Sequence, residues 1–526
     1  MRKKKLLPLI LLILLMAAIL IPVLSGCNNN TIVLKVYNAQ DYIDESVLGE
    51  FEEYCLKEKN LKVKIQYDTF DTLERAYTII NNRKADYDVM CPSDYIIEKM
   101  KKNDLLTPLN KERVPNIENI PPFLRDRNFD PNNEYSVPYM WGTVGILYNA
   151  DKVDPKDVKG WDLLWNKKYN NKILMKDSIR DSVFIATIYA YREELAKIKE
   201  PELYRKTLDE LVNNITDEKL KTVEKELREQ YNILYAYEVD SGKDAMTNGE
   251  AYVNLAWSGD AVWAIEEAAN NKINLDFYIP EEGSNIWFDN WVIPKYSKNV
   301  DLAHEFINFV CDPEIALRNM DETGYTTAVM SPDIIDYMSD EEIEAQDYTY
   351  LLEDKDGNIN ESFANKFGGV EFFSNLRIPE VTLPSKEKAD YCVEMTDFGE
   401  KQDSVVKMWT RVKALPLGVE VIIFSICLLI AIVGIIAYSI YKRIEKRKLV
   451  EGKIEQINKD TNNNKTITHH TYFTAITTKI KELKYQFSKK EKTADILDDT
   501  QVENKEDSEV TNNQTSNNSE NEDISK

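Results

Sequence analysis

Histidine is scarce in this chain: three among 526 residues, at His304, His469 and His470. The six cysteines (Cys27, Cys55, Cys91, Cys311, Cys392 and Cys427) include no CxxC pair. A Cys/His metal site is therefore not expected, since such sites need ligands at short, clustered spacing. No GxGxxG, Walker A, GxSxG or HExxH motif stands where it could work, so the usual phosphate cradles, nucleophile elbows and zinc helices are missing. Between the two long apolar runs His304 stands alone, so no Ser-His-Asp set can be built there. Hydrolytic chemistry, nucleotide chemistry and a cofactor are not expected. Positive charge is also in deficit, with a formal net charge of −24. That argues against a nucleic-acid partner, because a phosphate backbone calls for a basic patch.

What is present is enough for a large core: 43% hydrophobic and 10% aromatic residues in a chain too long for one small domain. Two segments are apolar enough for a membrane. The first is MRKKKLLPLILLILLMAAILIPVLSGC, basic residues followed by an apolar run and then small residues before a cysteine, which reads as a secretory signal over 1–27. Its ending, Leu24-Ser25-Gly26-Cys27, resembles a bacterial lipobox, in which the cysteine is acylated and becomes the first mature residue. An uncleaved anchor helix is the alternative.

The second segment is 421–441, VIIFSICLLIAIVGIIAYSIY, about the length that spans a bilayer. KRIEKRK follows at once, and positive flanks stay cytoplasmic. The expected layout is an external domain over 28–415, a spanning helix over 421–441, and a cytoplasmic low-complexity tail over 442–526. The tail is Asn-, Lys-, Glu- and Ser-rich and reads as disordered.

The region 31–412 alternates strands with helices. IVLKVYN reads as a strand, and Val47, Phe51, Tyr54 and Cys55 form the inner stripe of a helix. KVKIQY alternates as a second strand, Leu73, Tyr77 and Ile80 mark another helix, and DYDVMCPS ends a third strand. This βαβα order predicts an α/β fold with a parallel sheet. Ligands in such sheets bind at the carboxyl ends of strands, where Asn38–Tyr42 and Pro92–Tyr95 stand. Cys55 lies on the helical stripe and is read as core. Leu302, Phe306, Phe309 and Val310 form a later stripe; His304 falls off it and is expected in solvent.

One stretch resists a purely structural reading. SNIWFDNW surrounds Asp289 with three large aromatics, and a carboxylate there is costly to desolvate unless a cation meets it. The surrounding motifs resemble one family in order and spacing. YNAQDYID is similar to its opening, CPSDYIIEKM to its PS segment, and VPYMWGTVGILYNADKVDP to its crossing segment. GWDLLWNKKYNNKILMKDSIRDS, AWSGDAVWA, IWFDNWVIP, INFVCDPEIA and ETGYTT follow. The chain thus resembles the bacterial extracellular polyamine-binding proteins, the spermidine/putrescine receptors of ABC importers.

The resemblance implies a two-lobed, periplasmic-binding-protein-like (type II) α/β fold with a hinge and a ligand cleft. Lobe one would hold about 31–137 and 288–322, and lobe two about 138–287 and 323–412, with crossings near Val137, Ile286 and Thr323. It implies a polyamine ligand, permease subunits and the membrane as partners, and no catalysis. A membrane-tethered polyamine or organic-cation sensor acting through the tail is the alternative, and another organic cation as ligand stays open.

Carried over residue by residue, the ligand contacts would be Gln40, Asp41, Tyr42, Ser93, Tyr95, Asp181, Trp257, Asp260, Trp287, Asp289 and Tyr325. Carboxylates would meet ammonium groups and rings would hold the methylenes, a pairing that suits a flexible cationic chain. Bland readings stand beside these. Asp41 and Ser93 could be helix N-caps, Asp181 could favour a helix N-terminus, and Trp257 could be core. Tyr139 and Trp141 read as packing at the crossing. The chain departs from the family at Ala39, where a tryptophan is usual, at Ser178, where spermidine-type members carry an acid and Asp177 could compensate, and at Met395, where a glutamine is usual. Asp260 matches the putrescine-type members.

Overall fold

Branched and aromatic residues dominate IVLKVYNA and VKIQYDTF, and these form strands β1 (Ile32–Ala39) and β2 (Val63–Phe70). They run parallel, from Ile32 opposite Val63 to Ala39 opposite Phe70. The structure is a computed structural model that describes residues 31–82, 86–414 and 419–462, with 477, 478 and 481. Between β1 and β2 the helix Ser46–Lys59 buries Val47, Phe51 and Cys55, and Asn60 ends it in the left-handed region at φ 52°. β3 (Val89–Met90) pairs parallel to β1 on its other side, as the βαβα rhythm predicts.

β4 (Ser136–Asn149) belongs to both ends of the sheet. Its first part, Ser136–Thr143, pairs antiparallel with β9 (Ser284–Val292). Its second part pairs antiparallel with β7 (Val253–Trp257) and β8 (Leu275–Tyr278). β5 (Ile173–Lys176) then lies parallel to both β7 and β6 (Leu234–Glu238). The resulting order is β2-β1-β3-β9-β4-β7-β5-β6, with β8 on β4 and the short β10 (Cys392–Val393) on β9.

Two hydrophobic cores, the largest of four among the described residues, flank this shared strand. The first gathers Leu34, Phe51, Ile97, Trp141, Phe288 and Phe306; the second gathers Val144, Trp161, Ile173, Leu255 and Trp287. The first crossing therefore lies at Gly142–Thr143 rather than near Val137, because Val137 to Trp141 are buried in the first core. On β9 Ile286 and Phe288 pack into the first core and Trp287 into the second, so the strand faces both at the expected Ile286. The expected placement of all of 323–412 in the second half is corrected. The buried hydrophobic residues from Ala328 to Cys392 pack into the first core, while Val393 and Met395 join the second. The cause is a short backbone ladder: Trp141 N–H donates to the Thr326 carbonyl and Ala328 N–H to the Tyr139 carbonyl, which fixes the chain beside the first part of β4.

His304 is also corrected. It is buried in the helix Val300–Val310, where Nε2 accepts from the Asn110 N–H and Nδ1 faces the Val300 carbonyl at 2.7 Å. Burial with both ring nitrogens satisfied outweighs its offset from the apolar stripe. Cys55, Cys91, Cys311 and Cys392 are all buried and unpaired.

The helix Val419–Asn462 forms a separate unit. Its part Ile426–Lys453 is long and apolar enough to cross a membrane. The low-complexity tail expected from residue 442 is corrected over 442–462, which continue the helix; their Lys-, Glu- and Arg-rich sequence has high helix propensity. The expectations for the signal, Cys27 and nearly all of 463–526 fall outside the described residues.

Candidate functional site

The carboxyl ends of β1, β3, β5 and β7 converge on one cavity of about 590 Å³ between the two cores. All eleven residues singled out in the sequence line it. They reach it from both sides of β4. Gln40, Asp41 and Tyr42 follow β1, and Ser93 and Tyr95 follow β3. Asp181 stands in the first turn of the helix Ile179–Leu195, and Trp257 ends β7. Asp260 lies in the first turn of the helix Ser258–Asn270. Trp287 and Asp289 are on β9, and Tyr325 follows the helix Pro313–Thr323.

The period-two alternation of β9 accounts for the stretch IWFD. Trp287 and Asp289 point into the cavity, whereas Phe288 points away and stacks on Trp141 with ring centres 6.2 Å apart. Two glycines make room for the rings. A side chain at Gly142 would stand 2.8 Å from Trp287 Cζ2, and one at Gly259 would stand 2.2 Å from Tyr325 Cγ. Tyr325 in turn meets Tyr42 edge-on at 4.8 Å and Trp287 at 5.7 Å.

Asp289 is held by hydroxyls alone. Tyr42 Oη donates to its Oδ2 at 2.7 Å, and Ser93 Oγ donates to its Oδ1. Burial pushes its carboxyl up to about 6, opposed by these two hydrogen bonds and assisted by the negative charge of Asp181. Asp181 is buried, and burial raises its carboxyl too, against a hydrogen bond with Ser178 and the charge of Lys176. Neither carboxylate forms an ion pair among the described residues, although the charges of Lys176 and Arg180 favour the ionised form of Asp181. Burial keeps the Tyr42 and Tyr325 hydroxyls well above their ordinary range, so both remain neutral donors.

Asp260 has a different environment. Its Oδ1 accepts from Tyr325 Oη at 2.9 Å and its Oδ2 from Lys176 Nζ at 3.0 Å. Asp41 does not cap a helix: it sits at φ 51°, and the helix begins at Ser46. Its carboxylate lies 4.0 Å from Lys243 across the cavity mouth. Ser93 occupies the N-cap position of the helix Asp94–Lys102, yet its hydroxyl serves Asp289 instead of the helix. Tyr95 donates to Glu74 at 3.4 Å, and the Arg180 guanidinium lies 4.6 Å over its ring. Asp177 lines the cavity and is held by Lys413 at 2.6 Å, and Ser178 caps its helix by accepting from the Asp181 N–H. Ala39 and Met395 both line the cavity.

Four wall features escaped sequence reasoning. Lys176 and Glu238 stand behind the Asp260 wall. Arg180 is buried against Tyr95 and Phe398, with ring distances of 4.6 and 3.7 Å. Lys243 meets Asp41. The helix Gln402–Lys413 adds Gln402, Val406 and Trp409. Only the last left a readable signal, the helical spacing of Val405, Met408, Trp409 and Val412.

The family described as bacterial extracellular solute-binding protein matches residues 50–345. The spermidine/putrescine-binding periplasmic protein of Escherichia coli is 30% identical over 304 residues, covering 57% of this chain and 78% of that protein. A putrescine-binding periplasmic protein of Pseudomonas aeruginosa is 32% identical over 298 residues, covering 54% and 74%. Among solved structures, a spermidine/putrescine ABC transporter substrate-binding protein from Streptococcus pneumoniae superposes with a TM-score of 0.52. It is 29% identical, over 73% of this chain and 99% of that one.

Proposed function

This chain belongs to the bacterial extracellular solute-binding protein family, and from that premise we infer that its cavity receives a polyamine through Asp289, Asp181 and the surrounding rings. It is the substrate-binding component of an ABC importer, not an enzyme. It captures putrescine or spermidine outside the cell and hands it to the permease subunits.

The observation that carries the site assignment is the pair of carboxylates, half-buried Asp289 and buried Asp181, neither of which forms an ion pair with a described residue. An entering dication relieves their mutual repulsion and their desolvation together. Trp287, Trp257, Tyr42 and Tyr325 offer apolar faces for the methylenes, and each ring that meets an ammonium adds roughly 0.5–2 kcal/mol. Gln40, Asp41, Ser93 and Tyr95 complete the wall. Because the two acids come from opposite sides of the β4–β9 crossing, ligand ties the halves together, and the crossing strands act as the hinge for closure. The second half is then most of 143–287 with 393–412, Ile279 and Ile286 packing into the first core, and the rest of the domain is the first.

Two tethers complete the reading. Acylation at Cys27 holds the start of the mature chain to the membrane. The apolar helix holds its end, with the basic flank from Lys442 inside the cell. Such tethering raises the receptor's effective concentration beside its permease.

Thermal unfolding of the full chain in detergent tests the ligand class. At about 100 times the Kd, putrescine or spermidine adds about 2.7 kcal/mol to the stability of the binding domain. Glucose and sulfate add nothing. Equal stabilisation by all four overturns the assignment.

A further inference from the structure

One wall of the cavity already holds an ammonium group, and it belongs to the chain. Lys176, the last residue of β5, is 1% exposed. Its Nζ donates to the Val239 carbonyl at 2.6 Å and to Asp260 Oδ2 at 3.0 Å, and lies 3.1 Å from the Glu238 carboxylate. The same nitrogen stands 4.1 Å from the centre of the Trp257 ring. A primary ammonium has three donors; two here have acceptors, the Glu238 carboxylate lies at ion-pair distance, and an aromatic face covers the remaining side. This is the setting that a carboxylate-and-tryptophan wall would otherwise offer to a ligand's ammonium.

The charges elsewhere in the cavity are distributed unevenly. Asp260 spends one oxygen on Lys176 and the other on Tyr325. Asp289 and Asp181 have no ion pair with any described lysine, arginine or histidine. Asp289 and Asp181 are thus open to a ligand, as are Glu74, Asp94 and Asp240 on the cavity lining, whereas Lys176 balances one of the two carboxylate charges of the Asp260–Glu238 wall.

We propose that Lys176 is a built-in counter-cation that closes the Asp260–Trp257 wall to a ligand's third ammonium, so that the receptor selects linear diamines over triamines. This rests on the polyamine reading of the same cavity. The physical penalty is like-charge repulsion. An ammonium stacked on the far face of Trp257 would lie about 8 Å from Nζ, and Coulomb's law at an effective dielectric of about 20 makes that worth on the order of 30-fold in affinity.

Titration calorimetry on the full chain in detergent tests this with 1,4-diaminobutane and spermidine, comparing wild type with Lys176→Met. Wild type should bind the diamine more tightly. In Lys176→Met the spermidine-to-diamine affinity ratio should rise on the order of 30-fold, because the methionine keeps the volume and removes the charge. Should Lys176→Met fail to fold with two acids left unpaired, the double variant Lys176→Met/Glu238→Gln removes one of them and is read by the same ratio. A folded variant with an unchanged or lowered ratio, or a wild-type preference for spermidine, overturns the role of Lys176 and leaves the polyamine reading intact. Wild type that binds neither amine overturns both.

Discussion

Tyr42 and Asp289 are 247 positions apart, and the phenol hydroxyl of one donates to the carboxylate of the other at 2.7 Å. The pair fixes the carboxylate without neutralising it. Asp289→Asn keeps the shape and removes the charge. It should weaken diamine binding by about 2–5 kcal/mol, the usual effect of truncating one partner of a buried charge pair. The unliganded domain should unfold at the same temperature or higher, since a desolvated anion is gone. Calorimetry and thermal unfolding on one preparation check both.

Protons should compete with the ligand. The Asp289 carboxyl is pushed up to about 6 by burial, above its ordinary value of about 3.9. A group raised on folding stabilises the empty domain below the ordinary value and loses that contribution as pH rises through 6. A bound ammonium requires the carboxylate, so affinity should be flat above about pH 7 and fall by up to about tenfold per unit below 6. Proton release on binding, read calorimetrically in buffers of different ionisation enthalpy, should be visible at pH 6 and vanish at pH 8.

Gly142 touches the site from behind. A methyl group there would meet Ser258 Oγ at 2.3 Å and Trp287 Cζ2 at 2.8 Å. Gly142→Ala should therefore push the indole and cost about 1–3 kcal/mol in stability. It should also weaken binding, and a changed tryptophan emission in the empty protein would report the shift directly.

His304→Ala should separate stability from binding. The substitution leaves the Asn110 N–H without its acceptor and opens space in the helix Val300–Val310. A loss of about 2–4 kcal/mol is expected from the unsatisfied donor and the cavity together. Ligand affinity of the folded fraction should stay unchanged in calorimetry.

The α/β alternation and the contributors to the cavity were legible because local rules produce them. Strand ends in a parallel sheet carry ligand loops, and a carboxylate among aromatics needs a reason. Lys176 was not legible. A lysine that closes an apolar strand ordinarily marks the solvated flank, and here Asp260, 84 positions later, covers it instead. His304 failed for the same cause: its partner Asn110 is 194 positions away. The placement of 328–392 turned on a two-bond backbone ladder beside β4, which no periodicity announces.

β4 carries both halves, and β9 completes the first one only after the second has been written. On a ribosome the stretch 144–283 therefore emerges almost whole before any residue of β9 exists. Until Ser284–Val292 arrive, β3 has an unsatisfied edge that another chain could occupy. The part of the molecule encoded first thus stays open until β9 is made, and a nascent chain cut short before residue 284 would be prone to aggregate through the end that was made earliest.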